Sequence, residues 1–229
     1  MSKQKSMPDA DVLFYLIVWG ALWGIFEATA GAVIHLLPLP VGWLVWYPVA
    51  CFFMANVYCK TRKVFSVMLV GMLSAAIKML NLLLPMSVDR VINPAVSIVF
   101  EALTLSLALF ILNRTGATKR NPLIMAGAAL GMNTAWRLLY LLYLLFAAPE
   151  WIREISVLAT TEQLLTFLVI HNLVTSAVLA GGALLLPHML KPVRWIESKL
   201  SAPALQRVYI KVGLAVVLIG TNIALQLLI

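Results

Sequence analysis

Seven apolar stretches alternate with short polar connections along the chain. A bilayer core requires about 20 apolar helical residues at a rise of about 1.5 Å each. The intervening connections contain proline or charged residues, which hydrocarbon tolerates poorly. The pattern predicts an all-α membrane bundle with transmembrane helices at roughly 12–37, 41–59, 64–85, 93–112, 122–147, 163–187 and 208–229.

Composition agrees with a membrane environment. The 229 residues are 62% hydrophobic and 11% charged, whereas a soluble domain is about 45–50% apolar and 25% charged. The net charge of +8 is distributed between apolar segments, which argues against a nucleic-acid partner and favours basic cytoplasmic loops. Cys51 and Cys59 share one predicted helix about 12 Å apart, too far for a disulfide.

The loop charges predict the orientation. The N-terminus and the second, fourth and sixth connections are rich in Lys and Arg, whereas the first, third and fifth carry no net positive charge. The positive-inside rule then places the N-terminus in the cytoplasm and the C-terminus outside a cytoplasmic (inner) membrane. We interpret the chain as one integral domain with a tail, a six-helix core, a cytoplasmic connection and an additional helix: 1–11, 12–190, 191–207 and 208–229.

Two connections are long enough to contain structure of their own. The fifth is expected to form a short interfacial helix with Trp151 and Ile155 on one side. The sixth is expected to form an amphipathic helix at the headgroups, where its basic residues favour anionic lipid.

Ionisable residues interrupt four of the apolar stretches: Glu27, Lys78, Glu101 and Arg137. A charge facing lipid at the bilayer centre costs roughly 2.5–3.5 kcal/mol, so such residues normally face a bundle interior or a watered cavity. With the predicted orientation, polar residues from five helices fall in the outer half of the bundle. The predicted substrate-site residues are Glu27, His35, Lys78, Asn81, Asn93, Glu101, Asn133, Arg137, Tyr140, His171 and Asn172.

Helical spacing places these polar residues on one face of each helix. Ser97, Glu101, Thr104 and Ala108, for example, follow one another at steps of three and four residues. The spacing therefore predicts one polar stripe per helix, with leucine and valine facing lipid. Such a mixed-charge pocket suits a small zwitterionic or anionic heterocycle, with a cation holding its anionic group and a glutamate holding a donor.

The first outer connection contributes aromatic candidates, Trp43, Trp46 and Tyr47. Trp43 and Trp46 are predicted either to stack on a planar ligand or to form an aromatic belt at the headgroups. His35 and His171 are too few for a haem or metal site, so no metal and no intrinsic cofactor is expected.

Structural roles compete with binding at several positions. Internal ion pairs, such as Glu27 with Arg137 or Glu101 with Lys78, would lock helix packing. Asn133 and Asn172 each have an alternative structural role, in which their side-chain amides form hydrogen bonds that hold two helices together.

Small residues form two ridges. Gly20, Gly24 and Ala28 recur on one side of helix 1, as do Gly127 and Gly131 on helix 5. Small residues allow close helix approach in lipid. The first ridge either packs within the bundle or docks onto another membrane subunit.

The stretch 12–190 resembles the substrate-binding S components of energy-coupling-factor vitamin transporters. The resemblance consists of six compact helices with both ends inside, the small-residue ridge on helix 1, the Asn93-Pro94 start of helix 4 and an outward pocket. A seventh helix departs from the usual six. The resemblance implies uptake of a vitamin-like molecule or cofactor precursor and docking through Gly20, Gly24 and Ala28 onto a transmembrane coupling subunit.

In that family two partner ATPases supply the energy. The chain has no Walker A pattern, so ATP would be used only by such partners, and the chain itself is expected not to be an enzyme. The alternatives are a scaffold subunit of a membrane complex and an intramembrane enzyme acting on a lipid or prenyl substrate. In the enzyme, Glu27, Glu101 or His171 would be the acid or base and Arg137 would hold a phosphate.

Overall fold

The computed structural model describes residues 9–35, 42–83, 87–116, 121–200 and 208–228. These described residues are helical apart from short turns and contain no strand, which confirms the predicted all-α class. Five of their helical segments are long and apolar enough to cross a membrane: Gly42–Thr61, Val64–Leu83, Asp89–Arg114, Pro122–Phe146 and Thr161–Trp195. The chain is therefore a helical, multi-pass membrane protein.

The α-helices of the described residues are α1 (Asp9–His35), α2 (Gly42–Thr61), α3 (Val64–Met79), α4 (Asp89–Arg114), α5 (Pro122–Phe146), α6 (Glu150–Glu154), α7 (Thr161–Leu165), α8 (His171–Leu200) and α9 (Val208–Leu228). A 3-10 turn, Leu80–Leu83, continues α3. A π-helical turn, Thr166–Ile170, joins α7 to α8. Helices α1 and α9 occupy the positions of the first and last predicted spans.

Two helix boundaries differ from the prediction, and both involve proline. Helix α4 begins at Asp89, so Asn93 and Pro94 lie inside the helix instead of starting it. Helix α8 continues through Pro187 and Pro192 instead of ending near residue 187. Each proline removes one helical hydrogen bond. The buried Leu190 packs the helix beyond Pro187 against the bundle, and packing of this kind offsets the local loss.

The predicted short helix in the fifth connection is present as α6. Its Ile152 is buried at 1% exposure and anchors the turn, while Trp151 and Ile155, which directly follows the helix, are both exposed. This connection thus lies against one end of the bundle instead of extending away from it.

Helix packing places α3 against α4 and α1, α5 against α4 and α8, α2 against α8 and α3, and α9 against α1. Small residues permit the closest approaches. A Cβ atom at Gly71 would lie 2.3 Å from the Cβ of Ala102, and one at Gly20 would lie 2.7 Å from Cδ2 of Leu73. Both glycines therefore serve helix packing within the chain.

Large apolar side chains cover the outside of the bundle. Leu103, Leu107 and Phe110 on α4 and Leu138 and Leu142 on α5 are all exposed. In water such an apolar surface would promote aggregation, whereas in a bilayer it contacts the apolar lipid chains. The polar stripes accordingly face inward, where they form the site.

Candidate functional site

A cleft of about 450 Å³ opens at one end of the bundle. It lies between the start of α4, the second half of α5 and the connection from α6 through the π-helical turn. A volume of this size matches the sites that hold small organic molecules. Its polar lining residues are Asn93, Tyr140, Ser156, Glu162, Gln163, Thr166 and His171.

Two aromatic residues, Tyr140 and Phe167, line this cleft. The Phe167 ring lines it and lies with its centroid 6.2 Å from that of Tyr140. The Tyr143 hydroxyl donates a 3.2 Å hydrogen bond to Oδ1 of Asn93, which ties α5 to the start of α4 beside the cleft. The cleft therefore combines flat apolar surface with neutral hydrogen-bonding groups.

Arg137 packs against Phe167, a residue that lines the cleft. Its guanidinium carbon is 4.5 Å from the Phe167 ring centroid and 4.8 Å from that of Trp136. The side chain is buried at 1% exposure, and its Nε atom has no hydrogen-bond partner among the described residues. A buried cation with an unsatisfied donor is costly in free energy, so its retention calls for an explanation.

His171 connects the cleft to the aromatic residues at the start of α2. Its ring stacks on Trp43 with a centroid separation of 3.9 Å and an interplanar angle of 12°, and it also lines the cleft. Trp46 instead packs edge-on against Phe26. Both tryptophan rings thus contact the bundle, and Trp43 contacts a residue that lines the cleft.

Glu101 lies deeper in the bundle, buried at 6% exposure. It is close enough to Arg137 and Glu27 for electrostatic interaction. Within the described residues, however, the ion pair found within 4.0 Å joins Glu27 and Lys78. The donors of Arg137 are therefore not occupied by the Glu101 carboxylate.

The Glu27–Lys78 pair forms a second polar centre, between α1 and α3. Nζ of Lys78 is 4.0 Å from Oε2 of Glu27, and Nε1 of Trp23 donates a 3.1 Å hydrogen bond to Oε1 of Glu27. The two pairings suggested by the sequence, Glu27 with Arg137 and Glu101 with Lys78, are thus replaced by a different one. The reason is geometric, since α1 packs directly on α3.

Asn133 and Asn172 hold α5 to α8. Nδ2 of Asn133 donates to the Asn172 carbonyl at 2.8 Å and to Oγ of Ser176 at 2.9 Å. Nε1 of Trp136 donates to Oδ1 of Asn133 at 2.7 Å, and Nδ2 of Asn172 donates to Oγ1 of Thr134 at 2.8 Å. These contacts occupy both amide ends of Asn133, which is the interhelical alternative foreseen from the sequence.

The remaining predicted residues lie apart from the cleft or outside the described part. Asn81 is buried in the 3-10 turn, and its Oδ1 has no partner among the described residues. Gly20 and Gly24 of the α1 ridge are buried within the chain. The side chains of His35 and Ala28 lie outside the described residues.

Sequence reasoning missed several residues of the cleft. The sequence pattern places Glu162 in the fifth connection and Gln163, Thr166 and Phe167 at the start of an apolar helix. The π-helical turn brings Thr166 and Phe167 into the cleft wall, and such turns are frequent at functional sites. Polar residues just before an apolar stretch, as in Thr160-Thr161-Glu162-Gln163, were the available signal.

The described residues contain no cluster of three or more His, Cys, Asp or Glu suited to holding a metal ion. The chain matches no protein-family model, no curated protein and no solved structure, so its function must be inferred from this geometry.

Proposed function

We propose that the chain is a membrane substrate-binding subunit that takes up a small vitamin-like or cofactor-precursor molecule through the cleft. The observation that supports this most directly is the buried, incompletely paired Arg137, which contacts Phe167 in the lining of a cleft of ligand size. Intramembrane ionisable residues that face a cavity usually mark a substrate path.

The loop charges give the cleft its proposed direction. The positive-inside rule places the N-terminus in the cytoplasm and the C-terminus outside, with α1 and α9 as spans in addition to the five apolar segments. The cleft lies beside the start of α4 and the α6–α7 connection, which this orientation places on the outer side. It would therefore receive substrate from outside the cytoplasmic membrane.

Energy for uptake would come from partner subunits, namely a transmembrane coupling subunit and a pair of ATPases, as the resemblance to S components implies. The docking surface for such a subunit is not assigned to the α1 ridge, because Gly20 already contacts Leu73 within the chain. The partner would instead bind another part of the lipid-facing surface.

Native mass spectrometry of the detergent-purified protein tests the proposal. A retained small molecule is expected in the wild type and in Thr115→Trp, which adds an indole at the far end of α4. It should be absent from Thr166→Trp, which fills the cleft. A folded protein that retains no small molecule, or that converts a lipid or prenyl substrate to product, would contradict a binding subunit.

A further inference from the structure

The geometry around Arg137 indicates which ligand the cleft accepts, an inference that rests on the proposed binding function. Arg137 offers planar N–H donors that match a carboxylate in a two-bond arrangement. Among the described residues no carboxylate lies within 4.0 Å of it, and its Nε is unsatisfied. The guanidinium is therefore a built anion site that the protein's own acids leave open.

Phe167 connects this anion site to the cleft. The guanidinium carbon of Arg137 lies 4.5 Å from the Phe167 ring centroid, and Phe167 also lines the cleft. Phe167 belongs to the π-helical turn Thr166–Ile170. The hydrogen bonds of such a turn differ from those of an α-helix, and π-helical turns are seldom kept without a functional reason. A rotation of the Phe167 side chain would join the cleft to Arg137.

We propose that the ligand is a planar monocarboxylate whose carboxylate binds Arg137 while its ring packs against Phe167 and Tyr140, which both line the cleft. Aromatic surface in the cleft favours a flat ligand body. The buried guanidinium favours a negative group at the inner end. Asn93, Gln163 and Thr166 supply neutral hydrogen bonds along the remaining wall.

The neighbouring acids restrict the charge of this ligand. Glu101 interacts electrostatically with Arg137, and one guanidinium forms two parallel hydrogen bonds with one carboxylate, so a ligand with a single carboxylate matches this site. Glu162 lines the cleft but is solvent-exposed. Solvent screening weakens its repulsion, and its carboxylate is available to an N–H donor at the outer end of the ligand.

Benzoate and benzamide test the assignment, because they share size and shape and differ in charge. Calorimetric titration of the detergent-purified wild type should show benzoate binding at least about tenfold more tightly, as expected for one charge-assisted contact. Arg137→Gln should abolish the preference for benzoate. Arg90→Gln, an exposed arginine at the same end of the bundle, should retain it.

Phe167→Ala gives a second measurement that leaves Arg137 in place. It should bind benzoate with a faster association rate in stopped-flow tryptophan fluorescence, because the ring that packs against Arg137 is removed. It should also keep the preference for benzoate over benzamide. A folded Arg137→Gln variant that still prefers benzoate would overturn the assignment.

Three further outcomes would also overturn it: equal affinity for both probes, tighter binding of benzylamine, and binding of neither probe. If native mass spectrometry still finds a retained ligand in any of these cases, only the carboxylate assignment fails, and the binding function stands. Absence of any retained ligand would remove both.

Discussion

Helix α5 contacts α8 and the π-helical turn that precedes α8 at two levels. Polar side chains are hydrogen-bonded to one another at the first level and incompletely paired at the second. Around Asn133 and Asn172, donors and acceptors are matched at 2.7–2.9 Å and the interface is closed. About one helical turn away, Arg137 lies between aromatic rings with an unsatisfied Nε, next to an open cleft. Polar groups that form hydrogen bonds with one another hold helices together. An incompletely paired buried charge beside a cleft indicates instead a binding site for a ligand.

The Asn133→Leu substitution should produce the largest loss of stability. It removes three hydrogen bonds, and interhelical hydrogen bonds in membrane proteins average about 0.6 kcal/mol each, so we expect a loss of about 2 kcal/mol. Unfolding in mixed detergent would measure it. Thr134→Val, which removes one bond from the same network, should cost about a third as much. Equal stability of Asn133→Leu and the wild type would show that the network is not the main link between α5 and α8.

The Glu27–Lys78 pair tests the polar centre between α1 and α3, whose two residues do not line the cleft. A double-mutant cycle with Glu27→Gln and Lys78→Met should give a coupling free energy of about 1 kcal/mol, because the pair is separated by 4.0 Å and partly shielded from solvent. Detergent unfolding measures each corner of the cycle. The benzoate preference should be unchanged in Lys78→Met, and its loss would place Lys78 at the binding site.

Arg137→Met should change stability less than Asn133→Leu despite removing a charged, fully buried side chain. It loses two ring contacts but also removes the cost of a buried, incompletely paired cation, so the unfolding free energy in the absence of ligand should stay within about 1 kcal/mol of the wild type. The same unfolding assay measures it. A loss of several kcal/mol would mean that Arg137 is a structural link, and the contrast between the two levels would disappear.

Tyr143→Phe should have the smallest effect. It removes a single 3.2 Å hydrogen bond to Asn93 at the edge of the cleft, so we expect a loss of about 0.5 kcal/mol in unfolding free energy. Arg137 is untouched, so benzoate should still bind more tightly than benzamide. A much larger loss of stability would show that this bond fixes the start of α4.

The sequence pattern predicted the helices well because bilayer thickness and hydropathy both act on local stretches of chain. The polar stripes were also predicted, since Asn133, Arg137 and Glu101 face inward at the expected helical spacing. Helix boundaries at proline were less predictable. At Pro187 the local loss of a hydrogen bond is offset by packing of Leu190, and packing cannot be read from a linear sequence.

The separation of the polar residues into distinct groups was not predictable either. The sequence placed Glu27, Lys78, Asn133 and His171 at similar depth and suggested a single pocket. Depth along a helix does not fix the rotation of one helix against another, and that rotation decides which side chains meet. The chain therefore pairs Glu27 with Lys78, encloses Asn133 between α5 and α8, and leaves His171 at the cleft.

Hydropathy and spacing by themselves determined that this protein is a helical membrane bundle with inward-facing polar stripes. The reason is that each helix, taken separately, must present an apolar face to lipid. Only the tertiary structure decided which polar residues pair and which stay open. That outcome depends on packing angles and on one π-helical turn that places Phe167 against Arg137 and in the lining of the cleft. Contacts between distant segments determine it, so no local pattern of residues could have predicted it.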